Sequence, residues 1–417
     1  MEKPKIRFKG YQEDWEQRKL GDIYGSIGNA FVGTATPYYA EQGHFYLESN
    51  NVKDGQINHN SEIFINDEFY EKQKDKWLHT GDMVMVQSGH VGHAAVIPEE
   101  LDNTAAHALI MFRNPKEKIE PYFLNYEYQT DKAKKKIENI TTGNTIKHIL
   151  ASDMQEFVVD VPKYEEQKVI ASYFCNIDRL ITLHQRKCEE MKTLKKYMLQ
   201  KMFPQNGQSV PQIRFSGFTE DWEQRKVTEL LKNSSSAMKI GPFGSALKKE
   251  YFVEEGIKVY AQENAFTGDF SMGDYYITED KYKELKSCEL YPGDLVISMM
   301  GTIGACAIFP KNAEKGIMNS HLLRLQFNNE VIPEYIMYLL RDSVLIRKQI
   351  DRLSVGSIMS GLSSSVVKKL VFPIPKLTEQ KRIVEYLDSI DRLITLHQQK
   401  CDELRNIKKF MLQNMFI

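Results

Sequence analysis

The chain has 417 residues, of which 42% are hydrophobic and 27% charged, and its 55 Lys and Arg nearly balance its 56 Asp and Glu. This length suits roughly two to four domains with sizeable cores, and the composition excludes a collagen-like or disordered chain. The near-neutral charge argues against a general polyelectrolyte binder. It does not exclude a sequence reader whose basic side chains lie on one face.

The sequence also argues against a membrane protein and against a disulfide-rich protein. The longest apolar runs are far shorter than the ~20 residues that span a bilayer, and the first residues, MEKPKIRFKG, contain no apolar signal core. The five cysteines form no CxxC pair. We therefore expect reduced thiols in a cytoplasmic protein, with no metal site and no membrane partner.

The chain is a tandem duplication of a unit of about 210 residues. PKIRFKGYQEDWEQRKLGDI (4–23) returns as PQIRFSGFTEDWEQRKVTEL (211–230), and TGDMVMVQSGHVGHAAVIP (80–98) returns as PGDLVISMMGTIGACAIFP (292–310). The string IDRLITLHQ occurs unchanged at 177–185 and 390–398. Repeats at nearly constant offsets indicate two copies of one architecture.

Similarity between the copies is uneven. About 24 of 40 positions are identical between 164–203 and 377–416, whereas 24–142 and 231–355 share only scattered glycines and apolar positions. We infer that the former segments perform the same function twice and that the latter perform two different functions.

Local signals then place the elements in chain order. Short apolar runs between turn signals indicate mixed α/β domains, while Pro162 and Pro375 precede long helical patterns. Trp15 and Trp222, inside the repeated EDWEQRK, are interpreted as anchors at domain entry. We predict an α/β domain at 1–163, a helix at 164–203, a linker at 204–212, a second α/β domain at 213–376 and a second helix at 377–417.

The two helical segments carry heptad repeats over about five heptads, which predict a coiled-coil seam. About 36 residues make a helix of roughly 54 Å, which needs a partner, and its twin is the nearest. The predicted seam residues are Ile170, Ile177, Leu180, His184 and Met191 in the first copy and Ile383, Ile390, Leu393, His397 and Leu404 in the second.

The seam histidines have two interpretations. His184 and His397 each precede a cysteine by four residues, at Cys188 and Cys401, so a His/Cys pair from each helix could supply four metal ligands. We favour packed seam residues. The lysines at 187, 195, 196, 400, 408 and 409 are either a solvated face or a surface that contacts DNA or a partner protein.

The order, double occurrence and spacing of these motifs resemble the specificity subunit of Type I restriction–modification systems. The motifs are GDMVMVQSGHVG with GDLVISMMGTIG, VPKYEEQKVIASYF with IPKLTEQKRIVEYL, and the two IDRLITLHQ strings. The resemblance covers essentially the whole chain. It implies an α+β (mixed α/β) fold in which two target-recognition domains are separated by a long antiparallel helical coiled coil, with pseudo-twofold tandem symmetry.

The resemblance also implies a function and partners. Each domain would read one half of an asymmetric bipartite target in double-stranded DNA, with half-site centres about one helical turn (~10 bp) apart. The helices would set the spacer and dock two modification subunits, which are adenine-N6 methyltransferases, in a bacterial or archaeal cell. Whether two restriction (motor-nuclease) subunits join, adding ATP-dependent cleavage, stays open.

Catalytic motifs are absent from the sequence. It has no Asp/Asn-Pro-Pro-Tyr/Phe string for adenine methylation and no GxxxxGK[ST] loop. We therefore expect a non-catalytic subunit with no cofactor of its own, while S-adenosylmethionine, ATP and Mg²⁺ would serve the partner subunits. The alternative is a coiled-coil scaffold whose α/β domains bind protein or peptide partners.

Candidate DNA contacts come from segments that differ between the halves but occupy equivalent places. Amide side chains suit adenine contacts, glycine loops allow close approach, and small polar residues before a helix suit phosphate. An ordinary turn or a solvated helix face remains the alternative for each. The candidates are Asn50, Asn51, Lys53, Ser88, His90, His93, Lys134, Lys135, Asn144, Thr145 and Lys147 in the first half and Gln262, Asn264, Met300, Thr302, Ser357 and Ser360 in the second.

Overall fold

The computed structural model describes residues 3–143, 147–205, 208–300, 304–353 and 362–417. Its contacts divide the chain into unit 1, residues 1–186 with 397–417, and unit 2, residues 187–396. This division differs from the linear order of domains and helices, because each unit takes one part of both long helices.

Unit 1 combines an α/β domain with those helix segments. Its strands are β1 (Glu16–Lys19), β2 (Tyr24–Asn29), β3 (Tyr39–Ala40), β4 (His44–Leu47), β5 (Val52–Lys53), β6 (Gln56–Ile57), β7 (Phe64–Ile65), β8 (Met83–Val86), β9 (Ala94–Val96), β10 (Ala105–Ala106), β11 (Leu109–Pro115) and β12 (Val158–Val161). Its shorter helices are α1 (Leu20–Ile23), α2 (Asp67–Glu71), α3 (Pro121–Glu127), α4 (Asp131–Ile140) and α5 (Ala151–Glu156).

Two four-stranded sheets form the centre of the described part of this domain. One has the order β2-β11-β8-β9 and is antiparallel, and the other has the order β10-β4-β7-β3 with a parallel β10–β4 pair. All four residues of β8 are buried. Burial on both faces explains why MVMV is an unbroken apolar run instead of an alternating pattern.

Unit 2 repeats this plan. Its strands are β13 (Glu223–Lys226), β14 (Met238–Ile240), β15 (Phe252–Val253), β16 (Ile257–Tyr260), β17 (Tyr276–Ile277), β18 (Leu295–Ser298), β19 (Cys306–Ile308), β20 (Gly316–Met318), β21 (Leu322–Leu325) and β22 (Val371–Ile374). The long helix α6 (Tyr164–Lys201) enters from unit 1, and the shorter helices are α7 (Val227–Leu230), α8 (Gln262–Thr267), α9 (Glu279–Leu285), α10 (Pro333–Asp342), α11 (Val344–Leu353) and α12 (Ser364–Lys369).

The sheet orders of unit 2 match those of unit 1 strand for strand. They are β14-β21-β18-β19 and β15-β17-β16-β20, again with one parallel pair, β16–β20. The two halves therefore share one topology although few residues of their middle segments are identical.

The long helices α6 and α13 (Leu377–Met415) are antiparallel partners, with 38 and 39 residues. In unit 1, Asp178 binds Lys408 and the carbonyl of Ile181 accepts from Cys401. In unit 2, Lys195 binds Asp391. In unit 1 the partner's number falls as the residue number rises, which defines the antiparallel sense. The predicted α+β fold with two domains and a long antiparallel helix pair is confirmed.

The helix seam is partly as predicted. Leu180 and Leu393 are each 43% exposed, so their assignment to the seam is wrong. A seven-residue repeat fixes one row but allows the second row at either i+3 or i+4, and the i+4 row, with Phe174, Ile181 and Cys188, is the buried one. Of the other predicted residues, Ile170, Ile177, Ile383, Ile390 and Leu404 are buried and His184, Met191 and His397 half-buried.

Each domain is fixed to the start of a long helix by an equivalent buried ion pair. Arg7 binds both carboxylate oxygens of Glu166 at 2.6 and 2.7 Å, and Arg214 binds Glu379 at 2.7 and 2.8 Å. Trp15 is buried, with its ring 5.5 Å from that of Phe123. Its position supports the interpretation of the repeated EDWEQRK as a structural anchor.

Candidate nucleic-acid interface

A groove of about 590 Å³ in unit 1, called groove 1, brings together several of the predicted contact residues. One wall is the β8–β9 loop (87–93) with helix α4, and the other is the C-terminal part of α13. Its charged and imidazole lining residues are Asp54, His90, His93, Asp131, Lys134, Glu138, Lys147, Arg405, Lys408 and Lys409. Five Lys and Arg against three Asp and Glu give it a cationic excess.

The β8–β9 loop is held by backbone hydrogen bonds. The N–H of Gly89 donates to the carbonyl of Lys147 at 3.1 Å, and Ile149 N–H donates to Gln87 O at 3.0 Å. Ser88, half-buried, forms an isolated bridge with His148. The loop and the segment around Lys147, which the sequence proposed as separate candidates, therefore lie side by side.

Gly92 is required by the fold. It has φ = +87°, and a Cβ there would lie 2.8 Å from Cγ2 of Ile137 in α4. Gly304 in unit 2 has φ = +84°, and its Cβ would lie 2.7 Å from Leu340 O. At these two positions glycine permits both the left-handed turn and the close approach of a helix, so the glycines themselves are no sign of DNA contact.

His93 presents a neutral imidazole to the groove. Burial lowers its pKa, although the charge of Asp54 acts in the opposite direction, and its Nδ1 accepts a hydrogen bond from the N–H of Asp54 at 3.2 Å. A neutral ring whose Nδ1 accepts must carry its proton on Nε2, which then serves as a donor. His90, 6.4 Å away between ring centroids, is exposed.

The lysine run of α4 divides into two kinds of residue. Lys136 donates to the carbonyl of Val158 and lies 3.8 Å from Asp160, as Lys132 does at 3.9 Å. Lys134 and Lys135 are exposed, and of the two only Lys134 lines groove 1. The run is thus partly structural, and Lys134 remains a candidate for contact with an anionic ligand.

Helix α13 contributes three cations to groove 1 at positions i, i+3 and i+4. Arg405 and Lys409 are exposed, whereas Lys408 is mostly buried and binds Asp178 at 2.7 Å. The sequence analysis left the function of Lys408 and Lys409 open and did not single out Arg405. The available signal was the occurrence of a cationic triplet at the equivalent positions of the first copy, as Lys192, Lys195 and Lys196.

That equivalent triplet lines a second groove, called groove 2, in unit 2. It has a volume of about 460 Å³ and contains Lys192, Lys195 and Lys196 on one side and Arg347 of α11 on the other. Asp342 and Asp391 are its only carboxylates among the described lining residues. The repeated helix therefore places cations at three equivalent positions beside each α/β domain.

Two predicted base-contact residues are structural instead. Asn51 and Asn264 are each 1% exposed. The amide of Asn51 accepts from Glu48 N–H and donates to the carbonyls of Asn58 and Ser61, with N···O distances of 3.0 Å. Asn264 makes the same three bonds, to Ala261, Asp269 and Met272. Buried amides with all these bonds made cannot also read bases, so these two assignments are wrong.

The remaining candidates are scattered. Asn50 and Lys53 are exposed outside groove 1, Gln262 is half-buried at the first position of α8, and Met300 is 42% exposed. Asn144, Thr145, Thr302, Ser357 and Ser360 lie outside the described residues.

The seam histidines pair with each other. Nδ1 of His184 lies 2.9 Å from Nδ1 of His397, and the Cys401 thiol donates to the carbonyl of Ile181. Among the described residues, no group of three or more His, Cys, Asp and Glu side chains is arranged to hold a metal ion. Nor does any described helix have the length and apolar character needed to cross a membrane.

Comparison with protein families gives two matches along the chain. The model for the Type I restriction modification DNA specificity domain matches residues 12–193 and again 219–406. Each match contains one α/β domain and most of the long helix that follows it.

Two curated relatives match the chain over nearly its whole length. The chain is 23% identical over 410 residues to the Type I restriction enzyme MjaVIII specificity subunit of Methanocaldococcus jannaschii, covering 95% of this chain and 91% of the relative. It is 25% identical over 408 residues to the putative type I restriction enzyme MjaX specificity subunit of the same organism, with the same coverage.

Solved structures share the fold. The S subunit of a Type I restriction-modification system from M. genitalium superposes with a TM-score of 0.63 at 14% identity, over 100% of this chain and 99% of that one. A chain from a structure of type I R-M complex assembly and conformational transition gives a TM-score of 0.53 at 16% identity, over 96% and 97%.

Proposed function

Because the chain belongs to the family of Type I restriction-modification specificity subunits, with two copies of the DNA specificity domain, we propose that each copy reads one half of an asymmetric bipartite DNA target. This proposal rests on one observation: the two α/β domains have the same strand topology but carry different side chains at equivalent positions. The β8–β9 loop has Gln87 and Ser88 where the segment after β18 has Met299 and Met300. Unlike side chains on a shared scaffold give unlike half-sites.

The paired helices would act as the spacer between the half-sites. Helix α6 runs without a break from unit 1 into unit 2, and 38 residues extend about 57 Å at 1.5 Å per residue. Inserting one turn of four residues into α6 and one into α13 at the paired level should lengthen or abolish the spacer. Unchanged spacing in the methylated motif would contradict this part of the proposal.

The helices also carry the proposed docking surfaces for two modification subunits. Large apolar side chains remain exposed at equivalent positions of both copies: Leu180, Leu183, Leu194 and Tyr197 in α6, and Leu393, Leu396, Ile407 and Phe410 in α13. Four of them belong to each unit. Two equivalent apolar surfaces suit two copies of one partner, since exposed apolar clusters mark interaction sites.

Docking can be tested one surface at a time. Leu183→Asp in unit 1, or Leu396→Asp in unit 2, should reduce the number of bound modification subunits from two to one, measured by the mass of the assembled complex. Gln185→Asp adds the same charge at an exposed polar position and serves as the control. Full assembly by the leucine variants would place the docking surface elsewhere.

Chemistry would reside in the partners. We propose that the chain supplies no catalytic group, that the modification subunits bind S-adenosylmethionine and methylate adenine N6, and that restriction subunits, where present, use ATP and Mg²⁺ for cleavage. The isolated chain should neither methylate nor cleave DNA, and addition of the modification subunits should restore methylation.

The bipartite target is tested by mapping methylated adenines in a strain that expresses the chain with its modification subunit. A two-part motif with a fixed unspecified spacer is expected, and a continuous motif would overturn the proposal. Binding to duplex DNA should weaken steeply as salt increases. A scaffold for protein partners would show no such dependence.

A further inference from the structure

The repeated long helix carries a cationic triplet that lines a groove in both units. The triplet is Arg405, Lys408 and Lys409 in groove 1 and Lys192, Lys195 and Lys196 in groove 2, and these positions are equivalent in the two copies. Cations at three equivalent positions, lining a groove in both copies, indicate a function that the two copies share.

The middle lysine of each triplet has a structural function. Lys408 Nζ lies 2.7 Å from a carboxylate oxygen of Asp178 and 5.1 Å from the ring centroid of Tyr126. Lys195 Nζ lies 2.6 Å from Asp391 and 5.3 Å from the ring centroid of Tyr338. Both lysines are mostly buried and already paired, so they offer little free charge to a ligand, but they fix the stretch of helix that carries the other two cations.

The outer cations are available. In the described part of the chain, no carboxylate lies within 4 Å of the ammonium of Lys196 or Lys409, and both side chains are exposed. Arg405 binds the exposed Asp402 three residues earlier, and Lys192 binds Glu189 in the same way. Such exposed pairs contribute little to stability, so an anionic ligand can replace them.

Other lysines of the same helices behave differently. Lys187 and Lys400, which are also equivalent in the two copies, bind Glu190 and Glu403 at 2.9 Å and line neither groove. They represent the ordinary solvated face of these helices. Arg405 and Lys192 make similar exposed pairs, so it is their position in a groove that distinguishes them from Lys187 and Lys400.

The opposite wall of each groove indicates the ligand. Groove 1 is completed by His90, His93, Lys134 and Lys147 together with three acids, Asp54, Asp131 and Glu138, and groove 2 by Arg347 together with Asp342. Positions i and i+4 of a helix are about 6 Å apart along its axis. Two cations on one face of a helix can each contact a phosphate of the same DNA strand, which carries one negative charge for about every 3.4 Å of helix axis.

We propose that Arg405 with Lys409, and Lys192 with Lys196, bind backbone phosphates of the two DNA half-sites, so that the repeated helix holds each half-site in register with its recognition domain. This inference rests on the proposed DNA-reading function and adds a second, sequence-independent contact from the helices. Phosphate contacts fix position and orientation without reading bases, which explains why this part of the sequence is the same in both copies.

The test uses the full chain assembled with its modification subunits. The variants are Arg405→Gln with Lys409→Gln, and Lys192→Gln with Lys196→Gln, and the matched control is Lys187→Gln with Lys400→Gln. Binding to a duplex with the methylated motif and to an unrelated duplex is measured between 0.05 and 0.3 M salt, about the range in which counterion release dominates affinity.

Each groove variant should lower the slope of log affinity against log salt by about 1.8, since each lost phosphate contact removes about 0.9. Affinity for both duplexes should fall on the order of tenfold to a hundredfold at 0.1 M salt, while the methylated motif and the bound modification subunits stay unchanged.

Three results would overturn the inference: slopes equal to that of the control, an altered methylated motif, or loss of the modification subunits. Loss of the modification subunits would indicate that these cations belong to a protein–protein interface. A wild-type complex without salt-dependent DNA binding would instead refute the proposed function itself. Urea denaturation of each variant shows whether it is folded.

Discussion

Asn51 and Asn264 show how side-chain chemistry misleads when position is ignored. Both carry an amide that suits adenine contacts, yet both are buried at the third position of a short helix and make three equivalent hydrogen bonds. They occupy the same place in the two copies of the repeated unit. If the two domains read different half-sites, as proposed, a residue that is identical in both is more consistent with a shared structural function than with base reading.

Replacing Asn51 should therefore affect folding. Asn51→Ala removes three hydrogen bonds and leaves buried backbone groups unsatisfied, so we expect a loss of about 2–3 kcal/mol in the free energy of unfolding, measured by urea denaturation. Asn50→Ala, at the exposed neighbouring position, should change it by less than about 0.5 kcal/mol. Equal effects would contradict the assignment.

Glu127 of unit 1 is a buried acid with no acidic counterpart at the equivalent position of unit 2. Burial raises its pKa to about 8, although the N–H of Asp160 donates to it. The equivalent position of unit 2, in the helix PEYIMYLLRD, is Leu339. The carboxyl is thus protonated in the folded protein at pH values where it is ionised in the unfolded chain.

The sign of the pH dependence follows from this difference. Between the ordinary pKa near 4.5 and about 8, the folded state binds more protons than the unfolded state, so stability falls as pH rises. Each tenfold difference in proton affinity corresponds to about 1.4 kcal/mol. Glu127→Gln should flatten this decline and raise the melting temperature at pH 8. Glu99→Gln, at an exposed position, should leave the decline intact, and an unchanged slope in Glu127→Gln would refute the argument.

At the scale of elements, the repeated string IDRLITLHQ is explained by its aspartate. Asp178 accepts from the hydroxyl of Tyr126 at 2.8 Å and from Lys408, so that it joins α3, α6 and α13 within unit 1. Asp391 does the same in unit 2 with Tyr338 and Lys195. One carboxylate thus fixes a domain helix to both long helices, and both domains require it.

Asp178→Asn should destabilise unit 1 strongly. It leaves Lys408, only 14% exposed at its side chain, without its counter-charge, and breaking a buried pair typically costs about 3–5 kcal/mol. Adding Lys408→Met should restore much of this loss. Asp402→Asn, which removes an exposed carboxylate, should be nearly neutral. The measurement is urea denaturation, and a double variant no more stable than Asp178→Asn would argue against a direct pair.

The buried row of the helix seam gives a second prediction at this scale. Ile177 is 5% exposed and Leu180 43% exposed. Ile177→Ala should therefore cost about 2–5 kcal/mol, whereas Leu180→Ala should have little effect on the unfolding of the isolated chain. Similar costs at both positions would restore Leu180 to the seam.

The elements differ in how far the sequence could predict them. The long helices and their pairing follow from the heptads of two nearly identical copies, because a helix of that length needs a partner. The sequence does not show which second row of residues is buried between the helices, since Leu180 and Ile181 are both apolar. The cations of groove 1 come from segments far apart in sequence, Lys134 and Lys409, and only the folded chain brings them together.

At the scale of the whole molecule, equivalence of the two domains makes them exchangeable. Replacing residues 24–142, which precede the shared helix, with the corresponding segment of another specificity subunit should change one half of the methylated motif and leave the other half and the spacer unaltered. Mapping of methylated adenines provides the measurement. A change in both halves would mean that the domains do not read independently, and retention of the original motif would mean that the reading residues lie elsewhere.

The segments that join the repeats have a further consequence. In unit 2, the N–H of Ile213 donates to the carbonyl of Lys201 across the linker between the copies, at 2.9 Å. In unit 1, the N–H of Ile6 donates to the carbonyl of Asn414 at the same distance, although no peptide chain connects them there. The same backbone hydrogen bond therefore joins the two copies at two places: once where the chain is continuous, and once between the segments around Ile6 and Asn414. We expect a circular permutant, with a short peptide linking the segments around Asn414 and Ile6 and new ends within 204–212, to fold and to specify the same DNA target, because the same backbone hydrogen bond joins the copies at both places.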